Sequence, residues 1–390
     1  KTEGWSDLLD VYRKKLELVV DPEERKATRY GIAKVQRERL ADLKGAIATY
    51  EEVLAEDEED RTALSELDSL YAERKDWDKH SATLLKRVDL AESDDEMVEL
   101  KYRLAQVQET QMDEADLALQ NYREVLLLKM DHAGARAALE GLLDNKALRG
   151  EAAEILETVF EQREDWEKLV QVLEVRAQET SDPAERVDLL RKLATVSSTK
   201  LGSTDDALAA QARALRAAPS SDETRAELEE LAEKANALAK LAQIYKTIAE
   251  EVTDDALSLT YFVRVAELHE RLGATDTAAA AYEKALTIDP ENTEILAAMD
   301  GLFRQAERWE ALVKVYRKRI ELSADPEQVE GFYGEMADVL EQNLERPEEA
   351  VLAYQEVLSQ FPQSTLALSA LERLFAKLQK WSDLAENLVA

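Results

Sequence analysis

The stretch WSDLLDVYRKKL at residues 5–16 decides the fold, because it returns along the chain at nearly constant spacing. It matches WEKLVQVLEVRA at 166–177 and WEALVKVYRKRI at 309–320. All five tryptophans occupy the first position of this stretch: Trp5, Trp77, Trp166, Trp309 and Trp381. Leu238 takes the same position between Trp166 and Trp309. The intervals are 72, 89, 72, 71 and 72 residues. A fixed period of this kind indicates one structural unit copied and stacked, and stacked repeats form extended binding surfaces.

Apolar residues recur with the 3.6-residue period of a helix through nearly the whole chain, and only 11 glycines and 7 prolines interrupt it. This pattern predicts an all-α fold. In the first unit we expect helices at about 5–19, 22–41, 43–56 and 60–75. Three units start their second helix with Asp-Pro, at 21–25, 182–186 and 325–329, where Asp caps the helix and Pro takes its first position. Asp-Asp at 94–95 and 254–255 takes that place in the other two units.

Alanine recurs at two phases of every unit. The first set is Ala33, Ala105, Ala194, Ala266 and Ala337, and the second is Ala46, Ala118, Ala207, Ala278 and Ala350. Small residues recur where two helix backbones cross closely, and a larger side chain would overpack such a crossing at a cost of about 1–3 kcal/mol. We interpret the alanines and the tryptophans as structural markers of the repeat, with the tryptophan rings wedged between neighbouring helices.

Residues 259–292, LTYFVRVAELHERLGATDTAAAAYEKALTIDPEN, carry the clearest family likeness. They resemble a tetratricopeptide repeat, with the small and aromatic positions at Ala266, Gly273, Ala278, Tyr282, Ala285 and Pro290. The other units carry the same pattern, so each 72-residue unit resembles two tandem repeats and the likeness covers the whole chain. The resemblance implies a right-handed α-α superhelix (a solenoid) and a protein-binding scaffold. The long period with its tryptophan also resembles arrays in very long bacterial repeat proteins, myxobacterial ones among them.

One interval breaks the period. Between Trp77 and Trp166 there are 17 surplus residues, and the apolar spacing at 146–165 predicts one additional helix. We therefore divide the chain into an N-terminal array (1–145), the extra helix (146–165) and a C-terminal array (166–390) whose sixth unit is truncated. A single added helix disturbs the alternation of inner and outer helices, so we predict a bend or break near residues 143–165.

Acidic residues outnumber basic ones by 83 to 50, which gives a formal net charge of −33. This sign disfavours nucleic acid and anionic membrane as partners and favours other proteins with a basic surface. No apolar run approaches the roughly 20 residues needed to cross a bilayer. We expect a cytoplasmic segment of a larger bacterial protein. There is no cysteine, and the three histidines (His80, His132 and His269) lack ligand spacing, so we expect no catalytic residue, metal or cofactor.

Candidate binding residues come from the family resemblance. In tetratricopeptide arrays the first helix of each pair lines the concave groove, and positions counted from the invariant alanines face into it. One phase reads Tyr30, Tyr102, Arg191, Val263 and Gly334, and the next reads Lys34, Gln106, Thr195, Glu267 and Asp338. These residues differ from copy to copy, as expected of a groove specialised along its length and equally of a surface that has drifted. Tyrosine and arginine make good peptide anchors, so Tyr30, Tyr102 and Arg191 lead.

Three functions remain open at this point. The first is a non-enzymatic scaffold that binds partner proteins through its groove or faces. The second is an architectural spacer or self-assembling component of a bacterial envelope or motility complex, because exposed array ends can stack on each other. The third is a regulatory domain of an enzyme elsewhere in the parent chain. The family's clamp for chaperone C-termini needs several cationic and amide groove residues, and Lys34 alone does not supply it.

Overall fold

The computed structural model describes residues 3–389, with side chains described for residues 4–385. Within residues 3–389 the chain forms 22 α-helices and no strand. Their bounds are α1 Glu3–Leu18, α2 Pro22–Leu40, α3 Leu43–Glu56, α4 Arg61–Arg74, α5 Trp77–Asp89, α6 Asp94–Gln111, α7 Ala115–Leu128, α8 Ala133–Leu142, α9 Arg149–Gln162, α10 Trp166–Glu179, α11 Pro183–Thr199, α12 Thr204–Ala217, α13 Asp222–Lys234, α14 Leu238–Glu251, α15 Asp255–Arg271, α16 Thr275–Ile288, α17 Thr293–Gln305, α18 Trp309–Leu322, α19 Pro326–Asp338, α20 Pro347–Gln360, α21 Thr365–Lys377 and α22 Trp381–Val389. A π-helical turn, Val339–Asn343, continues α19. The all-α prediction is confirmed.

The chain divides into two compact units, Lys1–Leu201 with α1 to α11 and Gly202–Ala390 with α12 to α22. Within each unit, successive helices pack on each other. Both sets of marker alanines are buried, and none is more than 4% exposed. Their burial is consistent with close helix crossings, where the absence of a larger side chain lets two backbones approach.

The Asp-Pro starts behave as the sequence predicts. The aspartate side chains of Asp21, Asp182 and Asp325 accept hydrogen bonds from backbone amides in the first turns of α2, α11 and α19. One start is different from the expectation. Ser93, rather than Asp94, caps α6 by accepting from the Glu96 amide at 3.2 Å, and Asp94 becomes the first helical residue. An acidic side chain in a first turn is still favourable, because the helix dipole is positive there.

The tryptophan phase marks the first turn of a helix. Trp5, Trp77, Trp166 and Trp309 are half-buried, and Trp381 is 62% exposed. The fully buried residue lies three positions later, as at Leu169 and Leu312, which are both 0% exposed. The Lys200 ammonium lies 4.7 Å over the Trp166 ring and covers its exposed face. The Trp166 ring is thus shared between the core and a covering cation, and the Arg39 guanidinium lies in the same way over Trp5, at 4.9 Å.

The segment that breaks the period contains helix α9, which packs on α8 and α10 and also touches α7. The end of this segment is in register with the regular units. In each unit after the first, a non-glycine residue with positive φ lies two positions before the tryptophan position, and Glu164 does so here: Lys75, Glu164, Asn236, Glu307 and Gln379. Helix α8 is in register with the regular units at its start. His132 caps it in the same way as the N-cap residues of the equivalent helices: Asp60, Ser221, Asn292 and Ser364. The predicted bend near residues 143–165 stays a prediction.

Candidate groove site

The first helices of the regular pairs (α2, α6, α11, α15 and α19) each carry two candidate positions four residues apart. The second of these is exposed in every copy: Lys34, Gln106, Thr195, Glu267 and Asp338. The marker alanine directly before each of them is buried. The five helices therefore bury the same position of each copy, while the residues beside it are free to vary in size and charge.

Tyr30 links α2 to the start of α4. Its hydroxyl donates to Asp60 Oδ1, and Asp60 caps α4 by accepting from the Ala63 amide at 2.8 Å. The Lys26 ammonium lies 2.9 Å from the same carboxylate. Burial first, and then the hydrogen bond to Asp60, raise the pKa of Tyr30 above its ordinary value, so the phenol stays protonated and keeps donating. Tyr30 is half-buried and holds a helix cap as well as occupying a groove position.

Tyr102 occupies the same phase in α6 and contacts the cap of α8. Its ring centroid lies 4.6 Å from that of His132, whose Nδ1 accepts from the Ala135 amide at 3.0 Å. A β-carbon on Gly134 would collide with the Tyr102 phenol, so the absence of a side chain there makes room for the ring. The Gln106 amide donates to the Tyr102 hydroxyl at 3.0 Å, so both candidate residues of this copy contact each other.

The third copy places a cation where the first two have a phenol. Arg191 is half-buried on α11, and its guanidinium lies 3.9 Å from the Asp188 carboxylate one turn earlier. The Thr195 hydroxyl donates to the Arg191 carbonyl at 3.0 Å. Because that bond uses the only proton of the hydroxyl, Thr195 is left with acceptor capacity for a ligand.

In the fourth copy the first candidate position lies beside a cavity. Val263 is smaller than tyrosine, and a cavity of about 410 Å³ lies between α15 and α17. Its walls include Leu259, Val263, Glu267, Tyr282, Asn292 and Ile295. Asn292 is the N-cap of α17, the element that the tyrosines of the first two copies contact in α4 and α8. The cavity combines an apolar floor with two carboxylates, Glu267 and Glu294, and with Arg264, whose guanidinium is paired with Glu229 at 3.0 Å. This lining suits a side chain with an apolar stem and a cationic end.

The fifth copy has the smallest residue at the first position. Gly334 is buried on α19, and Leu366 Cδ2 lies 3.4 Å from where a β-carbon would stand. Asp338 is exposed and accepts a hydrogen bond from the Tyr354 hydroxyl at 3.3 Å. The leading candidates Tyr30 and Tyr102 are thus partly structural, whereas Lys34 and Glu267 are exposed without a hydrogen bond or ion pair to another described residue.

Sequence reasoning missed a second family of polar residues. An acidic residue stands nine positions before every tryptophan phase after the first: Asp68, Glu157, Glu229, Asp300 and Glu372. The first four pair with basic side chains, mostly on the next two helices, as Glu157 does with Arg176 and with Lys192 at 2.7 Å. The same comparison of copies that found the alanines could have found them. These clusters tie the tryptophan-bearing pairs to the helices around them.

Asp68 is the most buried member, at 1% exposed. His80 Nε2 lies 2.7 Å from its carboxylate and Arg103 lies 3.0 Å away, and Arg87 pairs with its other oxygen. Burial alone would raise the pKa of Asp68, but the hydrogen bond with His80 and the charges of Arg103 and Arg87 outweigh burial and lower it. His80 stands where other copies have the buried leucine, and its departure from the motif is explained by this carboxylate.

Models of one protein family match three stretches of the chain, residues 259–292, 295–330 and 335–364, and each is described as tetratricopeptide repeat. The chain contains tetratricopeptide repeats. The middle match covers most of α17 and all of α18, so the helix pair with the tryptophan also matches a repeat of this family. Tetratricopeptide repeats form protein-interaction scaffolds. The candidate positions Glu267 and Asp338 lie within the matched residues.

Two solved structures are similar to the chain at low superposition quality. A crystal structure of the P58(IPK) TPR domain shares 16% identity with a TM-score of 0.26, covering 87% of this chain and 94% of that one. A structure of Naa15/Naa10 bound to HypK-THB shares 16% identity with a TM-score of 0.26, covering 98% of this chain and 60% of that one. No curated protein matches the sequence. In residues 3–389, none of the helices combines the length and the apolar character required to cross a bilayer.

Proposed function

We propose that the chain is a non-enzymatic scaffold that binds partner proteins along the groove positions of its first helices. The observation that carries this proposal is the contrast between two adjacent positions on each of those helices. The alanine is identical and buried in all five copies, whereas the next residue is exposed and different in all five. Fixed packing with position-specific surface chemistry is what recognition of an extended partner requires.

The partner segment that fits best is basic and partly apolar. The order along the chain runs from Lys34 through neutral Gln106 and Thr195 to Glu267 and Asp338. The cavity beside Glu267 suits a lysine or an arginine, because the aliphatic stem would lie against Val263 and the charge would meet the carboxylate. The net charge of −33 steers such a partner toward the chain and makes the association rate sensitive to salt.

Affinity capture with matched variants tests the proposal. Lys34→Glu and Glu267→Lys change two groove positions, and Lys284→Glu and Glu283→Lys make the same charge changes at exposed positions on α16. Proteins captured by the wild type should be lost or weakened with Glu267→Lys, which repels a basic segment, retained or strengthened with Lys34→Glu, and unchanged with both controls. A salt titration of the captured complex should weaken it steadily. Equal retention by groove and control variants would remove the groove as the binding site.

A second candidate function, end-to-end assembly, is favoured by one observation on α1. Val11, Leu18 and Val20, on and just after this helix, are 61%, 81% and 88% exposed, so the helix presents apolar side chains that no described neighbour covers. Light scattering across protein concentrations tests it. Concentration-dependent association that disappears in Leu18→Glu supports assembly through this surface, and a monomer at every concentration contradicts it.

A further inference from the structure

The irregular interval is a tandem copy of one structural element. In the regular units, 17 residues separate the helix cap from the tryptophan phase, as between Asp60 and Trp77, and the surplus is also 17 residues. Residues 132–148 and 149–165 align without a gap and share buried positions in α8 and α9: Ala135 with Ala152, Leu139 with Leu156, and Leu142 with Val159. Glu140 and Glu157 take the acidic position in the two copies, and they pair with Lys168 and Arg176.

The duplicated helix borders a groove. Helix α9 takes the register of the usual partner of α10, and α8 takes the usual place after α7. Between α7 and α9 lies a groove of about 500 Å³. Its floor includes Leu119, Leu126, Ile155 and Val159, and its rim includes two acids, Glu151 and Glu154, and one base, Arg123. This volume and lining are typical of sites that hold a ligand with apolar side chains.

Helix α7 is adapted to this groove. Leu127 lines it and is 77% exposed, whereas the equivalent residues of the other copies are Ala55, Arg216, Thr287 and Ser359. The equivalent residues are exposed too, so the copies differ in the apolar character of this side chain and not in its burial. The leucine appears only in the one copy that faces the duplicated helix. We take this coincidence as the sign of a covered surface.

The rim is negative on balance, because the carboxylates of Glu151 and Glu154 outnumber the Arg123 guanidinium. Glu151 and Glu154 stand three residues apart, so they lie on the same side of α9, and both are exposed. Ile155 and Thr158 continue that side toward the C-terminal end. An apolar floor beside paired carboxylates complements a helix that has leucine-like residues on one face and basic residues flanking them.

We propose that the α7–α9 groove, lined by Leu119, Leu126, Leu127, Ile155 and Val159 and rimmed by Glu151 and Glu154, is a docking site for an amphipathic helix of a partner protein whose flanking residues are basic. A second copy of this chain fits less well, because two chains of net charge −33 repel each other and would bring acidic rims together. The site is separate from the groove positions of the first helices and does not depend on whether those bind a partner.

A synthetic helical peptide probes the site directly. Helix α9 has 14 residues, which at 1.5 Å per residue gives a groove side about 21 Å long. The probe is a labelled peptide of matching length with leucines at i, i+3, i+4 and i+7 and flanking lysines, and its counterpart carries glutamates instead of lysines. Binding is measured by fluorescence anisotropy, and the location by methyl NMR at Ile155 and Leu126.

Matched variants separate the groove from general electrostatics. Leu127→Glu is compared with Leu352→Glu, another exposed leucine, at 65%. The double change Glu151→Lys with Glu154→Lys is compared with Glu58→Lys with Glu59→Lys, two exposed acids with the same charge change. The wild type should bind the lysine peptide, both groove variants should bind it about tenfold more weakly, and the two controls should bind it like the wild type.

Two results would overturn the proposal. One is equal weakening by the controls, or no shift of the Ile155 methyl group, because binding would then follow overall charge. The other is self-association of the wild type that Leu127→Glu abolishes, because the occupant would then be a second copy. The first-helix variants Lys34→Glu and Glu267→Lys should bind the peptide like the wild type. A failure of the proposed function is therefore distinguishable from a failure of the α7–α9 site.

Discussion

Replacing Asp68 with alanine is the sharpest test of the buried ion clusters. The carboxylate is 1% exposed and contacts His80, Arg103 and Arg87. Removing one partner of a buried ion pair costs about 3–5 kcal/mol, because the remaining charges stay desolvated. The Arg87 and Arg103 side chains are 19% and 36% exposed, so both can turn toward water. We therefore expect a loss near the lower end, about 3 kcal/mol.

Two further variants make the expectation specific. Glu372 occupies the same phase but is exposed and has no ion pair among the described residues, so Glu372→Ala should change stability by less than about 0.5 kcal/mol. His80→Leu restores the usual buried leucine. The lost hydrogen bond to a charged group costs about 1.5–3 kcal/mol, and burying a leucine returns a similar amount. This variant should be nearly neutral.

The measurement must be local, because tandem repeats can unfold in parts and a single global transition is not guaranteed. Hydrogen exchange of the amides of α4 to α6 reports the local opening free energy, and urea unfolding gives the global change. Asp68→Ala should raise exchange in these helices, and Glu372→Ala should leave α21 unchanged. Equal small effects of both substitutions would refute the assignment of Asp68 as a stabilising centre.

The same residue gives the region a defined pH dependence. Its pKa in the folded chain is lower than the usual value near 3.9. A lowered carboxyl pKa contributes stability that is present above the unfolded-state pKa and is lost as the pH falls through the folded-state pKa. The difference in exchange protection between wild type and Asp68→Ala should therefore be constant above about pH 5 and shrink below about pH 4.

Two other substitutions test close packing. In thermal unfolding, Gly134→Ala should be less stable than Gly141→Ala by about 1–3 kcal/mol, because only the β-carbon at 134 meets the Tyr102 ring. The difference should vanish in a Tyr102→Leu background. A difference that persists there would place the strain elsewhere. Ala266→Leu should cost about 1–3 kcal/mol by overpacking a fully buried crossing, and it is contradicted if urea unfolding of the variant matches the wild type.

Local signals predicted the helices well. The bounds expected for the third helix, 43–56, are those of α3, and those of α2 differ from expectation by one residue. Caps and apolar periodicity are encoded within a few residues of each other, so sequence alone carries them. The exception at Ser93 shows the limit, because Ser93 and Asp94 are both good caps and residue type alone does not choose between them.

Contacts between distant residues were not predictable in the same way. The partner of Tyr30 is Asp60, and the partner of His80 lies 12 residues earlier on another helix. Tyr30 and Tyr102 were predicted to anchor a ligand because their position in the repeat faces the groove in this family. The phase was informative about exposure, but the role of a polar side chain depends on what the next helix brings beside it. Cavities also depend on which side chains the neighbouring helices bring together, as in the cavity beside Val263.

The duplicated element explains how a repeat array can gain a new surface without losing its packing. An insertion of arbitrary length would misplace every buried position that follows, whereas an insertion of one complete helix element leaves Trp166 and the helices after it in register. Both copies also find a basic partner, since Lys168 reaches Glu140 and Arg176 reaches Glu157. The position of Leu127 on α7 is exposed in every copy, and the copy beside the extra helix places a leucine there. The regular copies then maintain the scaffold, and the irregular one supplies the surface most free to acquire a partner of its own.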